Sequence, residues 1–389
     1  MQSGETNLSA GYQDLISICI PTYNRPDLLL IAIKSCLAQE YRPLEILIGD
    51  DSESADLALH SLRCPEGVSI KYVHNVPSLG QSANVNSLFA RASGAKLVLL
   101  HDDDLFCPHG LAALVEGWRT SPDTVCVFGR QVAVTPAGTI DVANTIHLDC
   151  LYERDALKPG TQPSPVSTGL LQHLPNNCFL MVSDLARKTL YRSEREVGQA
   201  VDADFGIRLG LNASKASFVF VPQFVSAYRL TAKSIARSAA KNQDHHLIYQ
   251  KISELSVPIA DETAKMTFLT RIGPSSVFDA ANAGDVQLAK NIMKSPHFRK
   301  PALSAHFAIA TFLIACPNLG RKVRPLLKRV AKIGQTASIL RQTRLRRSLK
   351  QSWNENLFVS QKSSGDLAAI EQIERQMSGL GWIRSANRT

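Results

Sequence analysis

The sequence lacks an apolar run of about 18 residues, the length that a membrane-spanning helix needs. Its longest apolar segment covers residues 302–316, and His306 interrupts it. The polar residues 1–14 lack the basic and apolar parts of a secretory signal. The 8 cysteines are scattered without a C-x-x-C pair, which disfavours a disulfide framework and favours reduced thiols. These absences predict a cytoplasmic protein.

Acidic residues are absent from residues 286–354, where 15 Lys or Arg occur. This segment therefore accounts for the whole net charge of +9, and the rest of the chain is acidic. Few aromatic residues interleave with these cations, which disfavours base stacking and hence nucleic acid as a partner. Two interpretations stay open: a surface that binds an anionic membrane, or an ordinary helical region with a solvated basic face.

Short apolar runs alternate with helical patterns in the first third of the chain, which predicts an α/β fold with a mainly parallel sheet. We expect strands at residues 15–20, 44–49, 70–74, 97–100, 125–128 and 217–221. We expect helices at residues 27–39, 55–62, 81–92, 109–119, 185–191 and 205–211. Residues 155–167 are rich in Pro, Gly and Ser, which predicts a mobile loop.

After about residue 238 the pattern is mostly helical. Prolines are expected to cut this region into short helices at Pro258, Pro274, Pro296, Pro317 and Pro325. We therefore predict four parts: a flexible N-terminus at residues 1–14, an α/β domain at 15–238, a helical, basic C-terminal region at 239–378 and a frayed tail at 379–389.

Three consecutive carboxylates, Asp102, Asp103 and Asp104, directly follow a predicted apolar strand. Adjacent anions repel one another, so a bound cation would stabilise the arrangement. Hard divalent ions such as Mg²⁺ and Mn²⁺ suit carboxylate oxygens and often bridge to substrate phosphates. A solvated turn in which one aspartate caps the next helix is the alternative that these residues leave open.

Two further acidic segments lie where a ligand of a parallel sheet is expected. Asp51 follows the second predicted strand, where a carboxylate can accept hydrogen bonds from a nucleotide, although it can equally cap a helix. Asp202 and Asp204 precede the helix predicted at residues 205–211; Asp204 could cap that helix, but capping would not require Asp202 as well. A carboxylate near an acceptor hydroxyl can act as a general base.

Four ordered motifs, at residues 17–25, 44–52, 100–104 and 201–204, resemble those of the family 2, GT-A-type inverting glycosyltransferases that build bacterial cell-surface polysaccharides. The resemblance covers about residues 15–235. It implies a GT-A fold, in which helices flank a Rossmann-like, mainly parallel sheet. It also implies transfer of a sugar from a nucleotide-diphosphate sugar to an acceptor hydroxyl, with inversion and with the help of Mn²⁺ or Mg²⁺.

The implied acceptor is a glycan or a lipid-linked glycan, so the implied location is the cytoplasm, with peripheral attachment to the inner face of the membrane as an option. The resemblance also implies a role for each matching position. Asp202 matches the catalytic base, Asp103 and Asp104 match metal ligands, and Asp204 and His101 match supporting positions. The positions that match donor binding are Pro21, Thr22, Tyr23, Asp51, Asp102 and Arg229.

The sequence departs from the family pattern at several places. His101 stands where the metal motif often begins with Asp, and Val201 stands where Glu usually precedes the base. Val85 replaces an arginine that often precedes Asn86, and the histidine frequent just after Arg229 is missing. These departures leave a catalytically silent sugar-nucleotide-binding protein as an alternative. A nucleotidyltransferase is disfavoured because no Gly-rich phosphate loop with a lysine follows the first strand.

Overall fold

A computed structural model of the chain describes residues 14–54, 62–230, 244–298 and 361–384, with isolated positions between 308 and 315. In these ranges the fold is a nine-stranded sheet flanked by helices. The strands are β1 (Ile16–Thr22), β2 (Leu44–Asp50), β3 (Val68–His74), β4 (Lys96–Leu99), β5 (Leu105–Phe106), β6 (Thr124–Val134), β7 (Gly160–Thr161), β8 (Leu180–Val182) and β9 (Ser217–Arg229). Their spatial order is β3-β2-β1-β4-β8-β6-β9-β5, and β7 pairs with β9.

The helices cover both faces of this sheet, and two apolar cores lie between them and the strands. They are α1 (Pro26–Leu37), α2 (Gln81–Arg91), α3 (Gly110–Trp118), α4 (Val142–Leu151), α5 (Pro165–Leu170), α6 (Ser183–Thr189), α7 (Glu194–Val197), α8 (Val201–Asn212), α9 (His245–Ser253), α10 (Glu262–Ala283), α11 (Val286–Lys294) and α12 (Gln361–Gly379). Within the ranges described, none of these helices is both long enough and apolar enough to cross a membrane.

Strands β1, β2 and β4 form the centre of the sheet and run parallel, with Ile16 opposite both Leu44 and Lys96. Their residues are nearly all buried because helices pack on both faces. Since the three strands point the same way, they end at one edge of the sheet, which we call the carboxyl edge. The polar residues that follow each strand therefore meet there. The predicted mainly parallel sheet is confirmed.

Strand β9 is much longer than the strand predicted at residues 217–221, since it spans 13 residues. It runs parallel to β6 and antiparallel to β5, where Leu105 pairs with Ala227. This pairing could not be seen from local periodicity, because β5 is only a two-residue strand after the acidic turn. Its consequence is that Arg229, at the end of β9, lies beside the acidic residues at the carboxyl edge.

The prediction of a mobile loop at residues 155–167 is wrong. Gly160 and Thr161 form a short strand against β9, and helix α5 begins at Pro165. Proline suits this first helical position because the amide that it lacks would have no partner within the helix, and Ser164 caps the helix by accepting from the Ser167 amide. The Pro, Gly and Ser residues that indicated mobility thus begin defined elements.

The prediction that Pro274 ends a helix is also wrong, because helix α10 is 22 residues long and contains Pro274 in its interior. Ser276 Oγ donates to the carbonyl of Ile272 at 2.9 Å. This bond lies close to Pro274, whose backbone nitrogen has no hydrogen to donate. Buried residues of α9 and α10, among them Tyr249 and Phe268, share one core with Phe89 beneath the sheet. Helices α9–α11 therefore pack against the α/β part and do not form a core of their own.

Residues 379–384, the described part of the tail predicted to be frayed at 379–389, pack against the sheet. Trp382 and Ile383 are each 6% exposed and lie in one apolar cluster with Leu105 and Phe224. The amide of Arg384 donates to the carbonyl of Gly138 at 2.6 Å. Packing on the sheet stabilises this segment, although its local sequence does not predict order.

Several predictions concern residues outside those that the structure describes. They are the flexible N-terminus up to residue 13, the boundary near 238, most of the helix predicted at 55–62 and most of the basic segment.

Arg130 joins this C-terminal segment to the sheet. Its Nε donates to Asp149 at 2.8 Å, its Nη1 and Nη2 donate to Asp366 at 2.6 and 2.9 Å, and its guanidinium lies 4.2 Å from the Phe224 ring. Asp149 is 2% exposed, and burial raises the pKa of its carboxyl group. The ion pair thus neutralises a charge that water does not reach.

Replacing Arg130 with Met should lower the free energy of unfolding by about 3–5 kcal/mol, since it leaves the buried Asp149 carboxylate without its cation. Urea denaturation followed by circular dichroism measures this loss. The matched control is Arg119→Met, which removes a solvent-exposed cation paired with Glu116 and should change stability little. Equal losses in the two variants would contradict a structural role for the Arg130 cluster.

Candidate functional site

The acidic turn and the end of β1 are in direct contact at the carboxyl edge. Thr22 Oγ1 donates to Asp102 Oδ2 at 2.8 Å, and both side chains are buried. The amide of Asp51, after β2, donates to the carbonyl of Thr22 at 3.0 Å. Three segments that are far apart in the sequence therefore form one continuous surface. Tyr23 lies at its rim and is 52% exposed, while the neighbouring Pro21 is part of β1.

Asp51 also organises the loop that follows β3. Its Oδ1 accepts from Asn75 Nδ2 at 2.8 Å and from the Leu79 amide at 3.2 Å, and its Oδ2 accepts from the Gly80 amide at 2.8 Å. Gly80 has φ of +84°, a conformation that favours glycine. The structure thus assigns Asp51 a loop-ordering contact in addition to the donor contact predicted from the sequence.

The acidic turn brings three side chains together that can ligate a metal ion. One ligand atom each from His101, Asp103 and Asp104 lies within 4.8 Å of the other two. Two carboxylates and one imidazole are a donor set that Mn²⁺ accepts, and carboxylates alone suit Mg²⁺. The Asp103 side chain is 14% exposed, whereas that of Asp104 is fully buried. These residues therefore fit a divalent cation, with Asp103 on the solvent side.

Asp104 is held from both sides. Its Oδ1 accepts from the Arg229 amide at 2.8 Å, and its Oδ2 accepts from Asn177 Nδ2 at 2.6 Å. Burial and the neighbouring Asp103 charge raise the pKa of Asp104 to about 7, although His101 and these two hydrogen bonds lower it. A divalent cation would favour the ionised carboxylate. Arg229 is 6% exposed, and its Nε donates to the Asp103 carbonyl at 3.2 Å.

His101 lies among the carboxylates. Burial lowers the pKa of its imidazole, but the charges of Asp202, Asp104, Asp103 and Asp102 outweigh burial and raise it overall. Asp202 makes the largest of these charge contributions, which indicates that the first turn of α8 lies near His101, because the interaction of two charges falls with distance. The structure therefore brings the predicted base and the predicted metal ligands to one site.

The Asp202 side chain is partly buried, and its Oδ1 is shielded from water without a hydrogen-bond partner. Burial raises the pKa of this group, and the nearby His101 charge and the contact with the Tyr191 hydroxyl only partly offset the shift. The side chain borders a narrow cleft between α8 and residues 169–179, which is also lined by Tyr152, Gln172, Leu174, Phe179 and Gly206. A buried acceptor oxygen at a cleft wall is placed to receive a proton from a ligand there.

Asp204 faces away from this cleft, although it lies only two residues after Asp202 on the same helix. It is fully buried, with Oδ1 3.1 Å from Arg192 Nη1 and Oδ2 2.7 Å from Arg208 Nε. Two residues along a helix correspond to about 200° of rotation, so neighbouring acidic residues point to opposite sides. The contacts of Asp204 are structural, and they do not reach the acidic turn where the resemblance placed a supporting role.

Sequence reasoning did not select three residues that the structure places in the site. Arg25 pairs with Asp102 and Asp103, and Asn177 donates to Asp104. Tyr191 lies beside Asp202; the burial of Tyr191 and the charge of Asp202 together raise the pKa of the tyrosine hydroxyl. Arg25 ends the first motif, and the excess of negative charge nearby was a signal for it. Asn177 lies in an irregular segment, and Tyr191 lies just after the helix that was predicted to extend to residue 191 but ends at Thr189.

Comparison with known proteins shows which family the first part of the chain resembles. Residues 17–171 match the family model described as Glycosyl transferase family 2. The chain is 35% identical over 118 residues to the GalNAc(5)-diNAcBac-PP-undecaprenol beta-1,3-glucosyltransferase of Campylobacter jejuni, which is 30% of this chain and 37% of that protein. The chain thus spans little more than a third of the length of this curated relative.

Two solved structures share the fold. S. aureus TarS 1–349 in complex with UDP-GlcNAc aligns with a TM-score of 0.50 and 14% identity, over 89% of this chain and 93% of that one. The mannosyltransferase PcManGT from Pyrobaculum calidifontis, in complex with GDP-Man and Mn²⁺, aligns with a TM-score of 0.50 and 15% identity, over 89% of each chain. This likeness confirms the predicted GT-A type of fold.

Proposed function

We propose that the chain, in which residues 17–171 match the model of Glycosyl transferase family 2, transfers a sugar from a nucleotide-diphosphate sugar to an acceptor hydroxyl. One observation carries the proposal: a cluster of acidic side chains and an Asp202 oxygen that is shielded from water both lie near the His101 imidazole. The first can hold a diphosphate through a cation, and the second can accept a proton. The catalytic domain of this proposal covers residues 15–238.

The donor would lie along the carboxyl edge. Its nucleoside would contact Pro21, Thr22 and Tyr23, with Asp51 near the base, because these residues surround the end of β1. Its diphosphate would lie near Asp102 and Asp103, where Arg229 adds a positive charge. The UDP-GlcNAc and GDP-Man complexes of the two proteins with a similar fold support a nucleotide sugar as the ligand class.

Asp103 and Asp104, with support from His101, would hold Mn²⁺ or Mg²⁺, as their mutual distances allow. When bound, such an ion compensates the negative charge that develops on the departing diphosphate. The Mn²⁺ in the PcManGT complex supports this assignment. His101 in place of a carboxylate makes the site less negative, which favours Mn²⁺ over Mg²⁺ because imidazole is the softer ligand.

Asp202 would act as the general base. The acceptor hydroxyl, bound in the cleft beside α8, gives its proton to Asp202 Oδ1 as its oxygen attacks the anomeric carbon. The bond between that carbon and the diphosphate breaks, and the diphosphate leaves with the electron pair. Attack from the face opposite the leaving group inverts the anomeric configuration.

The acceptor would be a glycan or a lipid-linked glycan. The name of the C. jejuni relative, which contains an undecaprenol diphosphate carrier, supports this class. A lipid-linked acceptor would bring the protein to the inner face of the membrane from the cytoplasm, where residues 286–354 could bind anionic lipid through their 15 cations. Nucleic acid is not part of this proposal.

The test is a thermal-shift screen of UDP-, GDP- and dTDP-sugars with Mn²⁺, followed by assay of donor hydrolysis. A matching donor at 100 times its Kd should stabilise the protein by about 2.7 kcal/mol and raise its Tm accordingly. Slow release of free sugar would then distinguish an enzyme from a silent binding protein. If no nucleotide sugar raises the Tm, with or without Mn²⁺, the proposal fails.

A further inference from the structure

One guanidinium nitrogen lies between two carboxylates of the acidic turn. Arg25 Nη1 is 3.1 Å from Asp102 Oδ1 and 2.9 Å from Asp103 Oδ2. The arginine side chain is 29% exposed, while the two aspartates are 7% and 14% exposed. Arg25 therefore covers the acidic pair from the solvent side.

The backbone of Arg25 is fixed while its long side chain reaches across the site. Asn24 adopts a left-handed conformation with φ of +54°, and its amide donates to Ser52 Oγ at 2.7 Å. The Arg25 carbonyl accepts from the Leu29 amide at 3.0 Å in the first turn of α1. Movement at this position is thus confined to side-chain rotation, which can turn the guanidinium without disturbing the fold.

Asp103 belongs to two arrangements at once. It pairs with Arg25, and it is one of the three residues that can ligate a cation together with His101 and Asp104. A guanidinium and a divalent cation on the same carboxylate repel each other strongly at a few ångströms. The two positive groups therefore compete for Asp103.

We propose that Arg25 is a built-in counter-cation, which holds Asp102 and Asp103 in the donor-free protein, weakens divalent cation binding there, and moves to the diphosphate when the donor enters. The planar guanidinium donates in a fork that matches phosphate oxygens, so it exchanges carboxylate partners for phosphate partners without losing its charge pairing. This last step rests on the proposed function. The consequence is that cation and nucleotide bind this protein cooperatively, each raising the affinity of the other.

Calorimetric titration with Mn²⁺ alone tests the first part without any donor. Arg25→Gln removes the charge and keeps a polar side chain, and it should bind Mn²⁺ on the order of tenfold more tightly than the wild type. Arg119→Gln is the matched control, since it removes an exposed cation at the end of α3 and should leave the Kd unchanged. A Kd for Arg25→Gln that is equal to or weaker than that of the wild type overturns the proposal.

A second variant keeps the test decisive if Arg25→Gln does not fold. Arg25→Lys retains the charge but not the fork, so its Kd for Mn²⁺ should stay within about threefold of wild type. A tenfold change in that Kd would overturn the competition between charges. In the presence of Mn²⁺, both variants should bind UDP or GDP, whichever the wild type binds, on the order of tenfold more weakly. Wild type that binds Mn²⁺ but neither nucleotide would contradict the proposed function and leave the competition at Asp103 standing.

Discussion

Replacing Asp202 with Asn is expected to lower the rate of sugar transfer by roughly 10²–10⁴-fold while leaving donor affinity unchanged. Asparagine has nearly the same shape but cannot take a proton from the acceptor hydroxyl. Because Asp202 Oδ1 is shielded from water without a hydrogen-bond partner, removing the charge should not destabilise the fold. Steady-state kinetics and calorimetry with the donor measure the two effects separately.

The pH profile supplies an independent readout of the same residue. Burial raises the pKa of Asp202 above the ordinary range of an aspartate. A base works only when it is deprotonated, so the wild-type rate should begin to fall at a higher pH than an unperturbed aspartate would require. In Asp202→Asn this acidic limb should disappear from the residual rate. A variant that keeps the wild-type rate and pH profile would remove Asp202 from its proposed role.

Asp204→Asn is the matched control, because it changes the same side chain two residues further along α8. Asp204 pairs with Arg192 and Arg208 in the interior. Its replacement should lower the free energy of unfolding by roughly 2–3 kcal/mol, less than the full effect of breaking a buried pair because Arg192 is partly exposed. The folded fraction should keep its transfer rate. The two variants thus separate loss of chemistry from loss of stability.

Replacing Asp103 with Asn should weaken Mn²⁺ binding by roughly 100-fold or more, since loss of a ligand exceeds the 10–100-fold effect of losing a residue that only supports one. Asp103 is the more solvent-exposed carboxylate of the candidate metal site. Donor binding that depends on Mn²⁺ should be lost with it. Calorimetric titration with Mn²⁺ and then with the donor measures both, and Asp184→Asn, at an exposed pair with Arg187, is the control.

The direction of the change in Mn²⁺ affinity is as informative as its size. Asp103→Asn and Arg25→Gln change neighbouring members of one ion pair, yet the first should weaken and the second should strengthen Mn²⁺ binding. General damage to the acidic turn would weaken binding in both. Unchanged Mn²⁺ affinity in Asp103→Asn would place the cation elsewhere or exclude it from the site.

Several parts of the fold followed from local patterns. The aliphatic runs that became β1, β2 and β4 were predicted because strands buried on both faces have little choice of residue type. The helix at Gln81–Arg91 was predicted nearly to its ends. The errors lie where packing overrides local preference: Pro274 continues a helix, Pro165 starts one, and Trp382 is buried by a sheet that is distant in sequence.

The candidate site, like the fold, could be predicted only in part from the sequence. Strand ends marked by Asp51 and Asp103 could be predicted to meet, because parallel strands bring their carboxyl ends to one edge. The opposite directions of Asp202 and Asp204 could not be assigned from an acidic pair alone. The helix has to be placed against its neighbours before one face becomes the cleft wall and the other becomes the interior.

The sequence by itself determined the fold class, the edge of the sheet that carries the site, and the acidic residues that gather there, because residue type and strand direction are local properties. Only the tertiary structure decided which cation balances those acids, which aspartate of α8 faces the cleft, and how Asn177, Tyr191 and the C-terminal segment complete the surroundings. These depend on contacts between residues that are far apart in the sequence, such as Arg130 and Asp366, which are 236 positions apart. No local pattern encodes the direction of such contacts.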